Sequence, residues 1–317
     1  LCALLLAGAS VTVAAQATAS ASQTAPEQSK SVETVPRVPG VSSLFKGLNA
    51  GVTYSAVHNS SIGWYTVLTP AVSYTFSSHY SVDASTSLYL HRLTENLNPA
   101  TSSTQPLVLD DADAGDTIVG FHATYLPKSL LDTISAYVTA PTGDRSAGLG
   151  TGKVTYDFSN HAEQYFKRIG FLLDLGVGNS SNVFNNQVNR NYSSLGALAQ
   201  FQTGAILWLP RHSYFESVAY EQLPIGSQTV YASVGSSGSP PQTTISGTNF
   251  AEDNGFVAFV GIPLVDHFSF SGYYNRSLRR QTDTVSFGVT YVVRSTMAKK
   301  ALSMIDRAIR EAEKGNP

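Results

Sequence analysis

The sequence predicts an all-β protein, a transmembrane antiparallel β-barrel of about twelve strands with a C-terminal amphipathic helix. Three observations carry that expectation. Apolar residues alternate with small or polar ones at a period of two in segment after segment. Only 13% of the 317 residues are charged, while Tyr and Phe number 16 and 15, so few charges are left to solvate a water-facing surface. The connections between segments sort into short and long ones in alternation, as they do in barrels with short periplasmic turns and long outer loops. No run of about 18 apolar residues occurs, which excludes spanning helices. A formal net charge of -2 with no basic stripe excludes a nucleic-acid binder.

Taken in chain order, Leu1 to Ala9 form a short apolar core followed by small residues, and residues 1–15 read as a secretory signal cleaved after Ala15, or after Ala21. The single cysteine, Cys2, precedes that apolar core and leaves with the signal, so no thiol chemistry is expected in the mature chain. Residues 16–46 are rich in Ser, Ala, Thr, Gln and Pro and read as a flexible periplasmic leader.

The barrel is expected over 47–293, with strands near 48–58, 62–77, 80–91, 116–126, 132–141, 151–159, 167–177, 194–208, 213–222, 254–264, 267–276 and 282–293. The second shows the pattern: Ile62, Trp64, Leu68, Val72, Tyr74 and Phe76 share a lipid face, with Gly63, Thr69, Ala71, Ser73, Thr75 and Ser77 on the other. The ninth alternates poorly around Glu216 and Glu221, which leaves the count open by two. An even count keeps both chain ends on one side, and closure removes the strand edge that hydrocarbon would not tolerate. The short connections fall at Ser78-His79, Pro210 to His212 and Asp266. The long ones run through 92–115, 178–193 and 223–253. Trp64, Tyr65, Tyr80, Tyr125 and Trp208 fall near strand ends, where an aromatic girdle is expected. Over 294–317, Met297, Ala301, Met304, Ile305, Ala308, Ile309 and Ala312 mark one helical stripe with Lys299, Lys300, Arg307 and Arg310 opposite, so a periplasmic amphipathic helix is expected there.

The connection between the fifth and sixth strands carries Pro141-Thr142-Gly143-Asp144 followed by Gly148-Leu149-Gly150-Thr151-Gly152. It resembles the signature of the outer-membrane family named for the meta (MetA) pathway of phenol degradation. The Val265-Asp266-His267 turn before Phe268 is similar to that family too, as is the Gly272 to Arg276 strand leading into Thr284 to Tyr291. The resemblance spans about residues 48–293. It implies an outer-membrane barrel, and its implied solutes are hydrophobic or aromatic. The chain departs from the family by continuing past the last strand. Ser286, Gly288, Tyr291 and Val293 keep the spacing that resembles the signal read by barrel assembly machinery.

Candidate functional residues follow from strand parity. Asp83, His122, Lys153, Asp157, Asp174, Gln200, Gln202, Tyr273 and Asn275 are expected to line the pore. Two roles fit them: selection of a solute, or a salt-bridged interior that closes the barrel. Gly143, Asp144, Gly148, Gly150 and Gly152 form an outer loop whose glycines allow it to fold back toward the mouth. That loop has no Walker lysine and no following helix, which argues against nucleotide binding. Arg276, Arg279 and Arg280 at the last outer turn suit lipopolysaccharide phosphate, anionic solutes or plain solvation. Asp110, Asp111, Asp113 and Asp116 lack the EF-hand spacing and read as a solvated acidic loop, so no metal is expected. His212-Ser213 with Glu216 or Glu221 suggests a lipid hydrolase. Neighbours on a strand point to opposite faces, however, and no catalytic residue and no cofactor is expected.

The expected function is a channel or facilitator for small solutes in the bacterial outer membrane, reached through the periplasm. The alternative is a closed structural or adhesive barrel acting through its outer loops. Expected partners are outer-membrane lipid and lipopolysaccharide, the assembly machinery and a small-molecule solute.

Overall fold

The computed structural model describes residues 47–60, 63–94, 107–109, 113–126, 130–143, 149–150, 152–166, 168–180, 192–210, 213–232, 242–244, 252–265 and 267–294. The expected signal, leader and terminal helix lie outside the described residues. Within them the chain forms one antiparallel sheet. Its segments are β1 (Leu48–Asn59), β2 (Gly63–Thr75), β3 (Tyr80–Ser85), β4 (Leu88–Thr94), β5 (Leu107–Leu109), β6 (Asp113–Ala114), β7 (Thr117–Tyr125), β8 (Leu130–Ala140), β9 (Thr155–Phe166), β10 (Ile169–Ser180), β11 (Tyr192–Trp208), β12 (Tyr214–Pro224), β13 (Gln228–Ala232), β14 (Gln242–Thr244), β15 (Asp253–Val265), β16 (Phe268–Ser277) and β17 (Thr282–Val293).

Several segments share a stave, because irregular residues interrupt the ladder without turning the chain. β3 continues as β4, β5 and β6 lead into β7, β12 continues as β13, and β14 leads into β15. The result is twelve staves. β2 pairs with both β3 and β4, and its register with β4 shifts between Thr66 and Val67, a bulge that bends the wall.

The barrel closes where β1 meets β17, from Ala50 opposite Val293 to Asn59 opposite Thr284. Side chains reinforce that seam: the Thr53 and Thr290 hydroxyls are 2.9 Å apart, and Asn59 Nδ2 donates to Thr284 Oγ1 at 2.7 Å. With every stave paired on both sides, the sheet has no open edge for hydrocarbon to contact.

Burial is inverted relative to a water-soluble sandwich. The outward face carries Phe171, Val177 and Phe287, each at least 50% exposed, whereas Ser55, Thr155 and Gln222 on the inward face are fully buried. Exposed Leu, Val, Ile and Phe recur on stave after stave around the outside, far more apolar surface than water-soluble monomers leave bare. Such a surface is stable only against lipid, so the strands span a membrane. Among the described residues no helix is long and apolar enough to do so.

One rim holds the turn at 76–79 and the short connections between Phe166 and Arg168 and between Val265 and His267, and the other holds the long connections, so the first is periplasmic and the second external. The periplasmic rim is ringed by outward aromatics. Tyr74 meets Phe76 at 5.0 Å, Phe268 meets Tyr291 at 4.9 Å, and Tyr125 stacks on His79 at 6.0 Å between ring centroids. Two of the girdle residues expected from sequence point inward instead. Tyr65 is buried on the lumen side of β2, and Trp208 packs against an interior cluster, because both sit on the inward parity of their strands.

Candidate functional site: the lumen wall

Strand parity delivers long polar side chains to the interior, and pairing across strands decides which of them meet. Asp83 of β3 and His122 of β7 form an ion pair through His122 Nε2, and His122 Nδ1 lies 2.9 Å from Ser135 Oγ. The His122 ring also meets Tyr137 edge-on at 5.4 Å. Two staves further round the same periplasmic half, His161 of β9 bridges two carboxylates. Its Nδ1 is 2.6 Å from Asp174 Oδ1 and its Nε2 is 2.8 Å from Glu163 Oε1. The Tyr165 hydroxyl donates to the other oxygen of Glu163. Glu216 of β12 is likewise buried on the inward face.

Asp157, Gln200, Gln202, Tyr273 and Asn275 are also buried at inward positions, Asp157 near the outer end of β9 and Asn275 in the outer half of β16. The outer half is thus rich in amides, with Gln222 beside Gln200 and the carboxyls of Asp157 and Asp253 among them, while both imidazoles and the carboxyls they meet lie toward the periplasm. Lys153 departs from the expected lining: it is exposed, two residues ahead of β9, and follows Gly152, whose φ is +65°. The sixth stave begins at Thr155 instead of near residue 151, so Lys153 stands at the external mouth.

The interior holds a second feature that parity alone does not reveal. Tyr137, Tyr165, Tyr214 and Tyr220 each stand directly across a ladder from a glycine: Gly120, Gly170, Gly261 and Gly255. Each ring lies against its glycine. A Cβ on Gly170 would come 3.0 Å from the Tyr165 ring, and one on Gly120 would come 2.9 Å from that of Tyr137. Glycine here permits close approach of an aromatic ring to the backbone, so the rings lie along the wall. Tyr214 continues into a chain of rings, 5.5 Å from Trp208 and 5.6 Å from Phe259, stacked on the latter. Leu172, Ile206, Val218 and Val257 fill in around this group.

At the external mouth, the glycine-rich connection is tied to the wall. Asp116 Oδ1 accepts from the Gly143 N–H at 2.9 Å, and Thr142 Oγ1 accepts from the Thr117 N–H at the same distance. A Cβ on Gly143 would lie 2.6 Å from the Leu149 carbonyl, so the two arms pass too closely for any side chain there. Leu149 packs with the inward-facing Val57, Tyr65, Val67 and Tyr89, which brings this connection in over the lumen. Asp144 and Gly148 lie outside the described residues; Gly150 lies against Asp116. Asp116 therefore serves as a hydrogen-bond acceptor for the loop. Among the described residues no group of three or more His, Cys, Asp or Glu is arranged to hold a metal.

Of the arginine group, Arg279 and Arg280 lie in the turn after β16, and Arg276 lies on the strand before it. Arg276 belongs to β16, faces outward and pairs with Asp283 of β17, to which the Tyr274 hydroxyl also donates at 2.7 Å. Arg279 pairs with Glu252 at 2.7 Å, and the Arg280 N–H donates to Ser277 Oγ at 3.1 Å. Ser213 precedes β12 at the periplasmic rim; its expected neighbour His212 lies outside the described residues.

Solved structures of other barrels can be set beside this geometry. An outer-membrane channel from Pseudomonas putida F1 is similar over 80% of this chain and 99% of its own, at 12% identity and a TM-score of 0.50. The chain has an outer-membrane barrel fold. The KdgM porin, in complex with disordered oligogalacturonate, is similar over 76% of this chain and 98% of its own, at 7% identity and a TM-score of 0.45. The Ralstonia pickettii toluene transporter TbuX is similar over 79% and 90%, at 10% identity and a TM-score of 0.41. No protein-family model and no curated protein matches the chain.

Proposed function

We propose that the protein is a channel for small solutes in the bacterial outer membrane. The observation that carries this reading is the inverted barrel, with an apolar outside and an interior lined by hydroxyls, amides, carboxylates and imidazoles. A barrel that served only as a scaffold would gain more from an apolar filling than from buried polar groups. Hydrophobic or aromatic solutes are favoured by two features: the resemblance of the Pro141 to Gly152 segment to the meta-pathway family, and the ring-faced wall at Tyr165, Tyr214, Trp208 and Phe259. Rings lying along the wall offer flat apolar contact without filling the path.

Liposome swelling tests the reading. Vesicles holding the purified barrel are expected to swell in isosmotic small solutes at rates that fall with solute size, and Asp157→Ala is expected to change those rates. Vesicles no more permeable than empty ones would remove the channel reading.

A further inference from the structure

We propose that the lumen passes small organic cations in preference to anions, through the wall section where Glu163 and Glu216 stand among Tyr165, Tyr214, Trp208 and Phe259. This rests on the channel reading and adds the charge class of the solute. On the staves of the periplasmic half, the described inward ionisable groups are Asp83, Glu163, Asp174 and Glu216 against His122 and His161. Arg168 and Arg294 stand at the rim, beyond the strand ends. Even with both imidazoles protonated, the carboxylates outnumber them, and the His161 bridge itself joins two carboxylates to one ring. The field along this stretch therefore favours positive charge.

A second and independent observation points to what the section would hold. The Tyr214 hydroxyl is buried, at 3% exposure of its residue, and has no hydrogen-bond partner, although Glu216 and Glu163 both act on it electrostatically. Glu216 acts in the same way on Tyr165, so the two acids and two phenols form one group. Beside it the Trp208, Tyr214 and Phe259 rings follow one another at 5.5 and 5.6 Å. Carboxylates and ring faces together attract an ammonium group, since the quadrupole of an aromatic ring is negative over its face. An ammonium that carries an N–H would add a hydrogen bond to the Tyr214 oxygen, and a quaternary ammonium would be held by the ring faces and carboxylates alone. An anion meets repulsion from the same atoms.

Reversal potentials in planar bilayers, measured across a potassium chloride gradient and then with tetramethylammonium chloride, test this. The wild-type barrel is expected to favour potassium over chloride and to pass tetramethylammonium. Glu163→Gln and Glu216→Gln are each expected to lower the cation-to-anion permeability ratio by about two-fold or more. Tyr214→Leu is expected to lower tetramethylammonium permeability relative to potassium while leaving the potassium-to-chloride ratio in place. Heat-modifiable migration on gels confirms that each variant is folded, and Tyr214→Leu retains every charge should either glutamine variant misfold. Current without cation preference, or a ratio unmoved in the folded glutamine variants, overturns the inference alone. A barrel that carries no current removes the channel reading, and the inference with it.

Discussion

Tyr214 lies against Gly261 directly across β12 and β15, and that contact shows what one methyl group would do to the lumen. A Cβ on Gly261 would fall 2.6 Å from the Tyr214 Cζ, so the ring would have to leave the wall and enter the path. Gly261→Ala is expected to lower single-channel conductance by about two-fold, with recovery when Tyr214→Leu is added, since a pore's conductance follows its radius at the narrowest point. Equal conductance in Gly261→Ala and wild type would mean that this ring does not border the path. The inward tyrosines were hard to see in the sequence for a physical reason. A phenol suits the lipid interface as well as a polar interior, so Tyr65 beside Trp64 looks like a girdle residue until its parity is fixed. The glycine partners were harder still, because Tyr214 and Gly261, like Tyr220 and Gly255, come together only through the pairing of β12 with the distant β15. His161, Glu163 and Tyr165 were missed because the sixth segment was expected to end at residue 159.

At the scale of single elements, most strands stood out in the sequence because their outward residues are uniformly apolar, as in Phe171, Leu173, Leu175 and Val177 of β10. β9 did not, since Asn160, Ala162 and Gln164 occupy its outward positions, and Asn160 Nδ2 donates to Asp132 Oδ1 of β8 at 2.6 Å. The pairing with β8 and β10 on either side holds that strand in place, which a local pattern cannot report. The loop after β8 shows the opposite case, in which short motifs in the sequence correspond to a specific tie. Asp116→Ala is expected to remove about 1–3 kcal/mol of hydrogen bonding to the Gly143 amide. Limited proteolysis in reconstituted vesicles should then cut between Pro141 and Gly152 faster than in wild type, while the barrel keeps its heat-modifiable migration. Equal cleavage of the two proteins would show that Leu149 alone seats the loop.

For the molecule as a whole, an apolar outside and sorted loops follow directly from the sequence, because the lipid acts on every stave in the same way. Leu175→Arg on the outward face of β10 is expected to lower folding stability in vesicles by about 2–4 kcal/mol, and Phe268→Arg at the periplasmic rim by about 0–1 kcal/mol. Denaturant titration into phosphatidylcholine vesicles measures both, and equal losses would contradict the assigned depth of these positions. The contents of the lumen were less legible. Twelve registers decide which inward side chains meet, and those registers join residues as far apart as Thr53 and Thr290.

The pairing of phenol rings with bare backbone has an evolutionary consequence. If one of these glycines acquires a side chain, the channel narrows, and only a smaller residue on the neighbouring stave can reopen it. Lineages that adapt the barrel to other cargo are therefore expected to exchange these residues in couples, leaving a covariation between positions such as Gly261 and Tyr214 that neither would show alone.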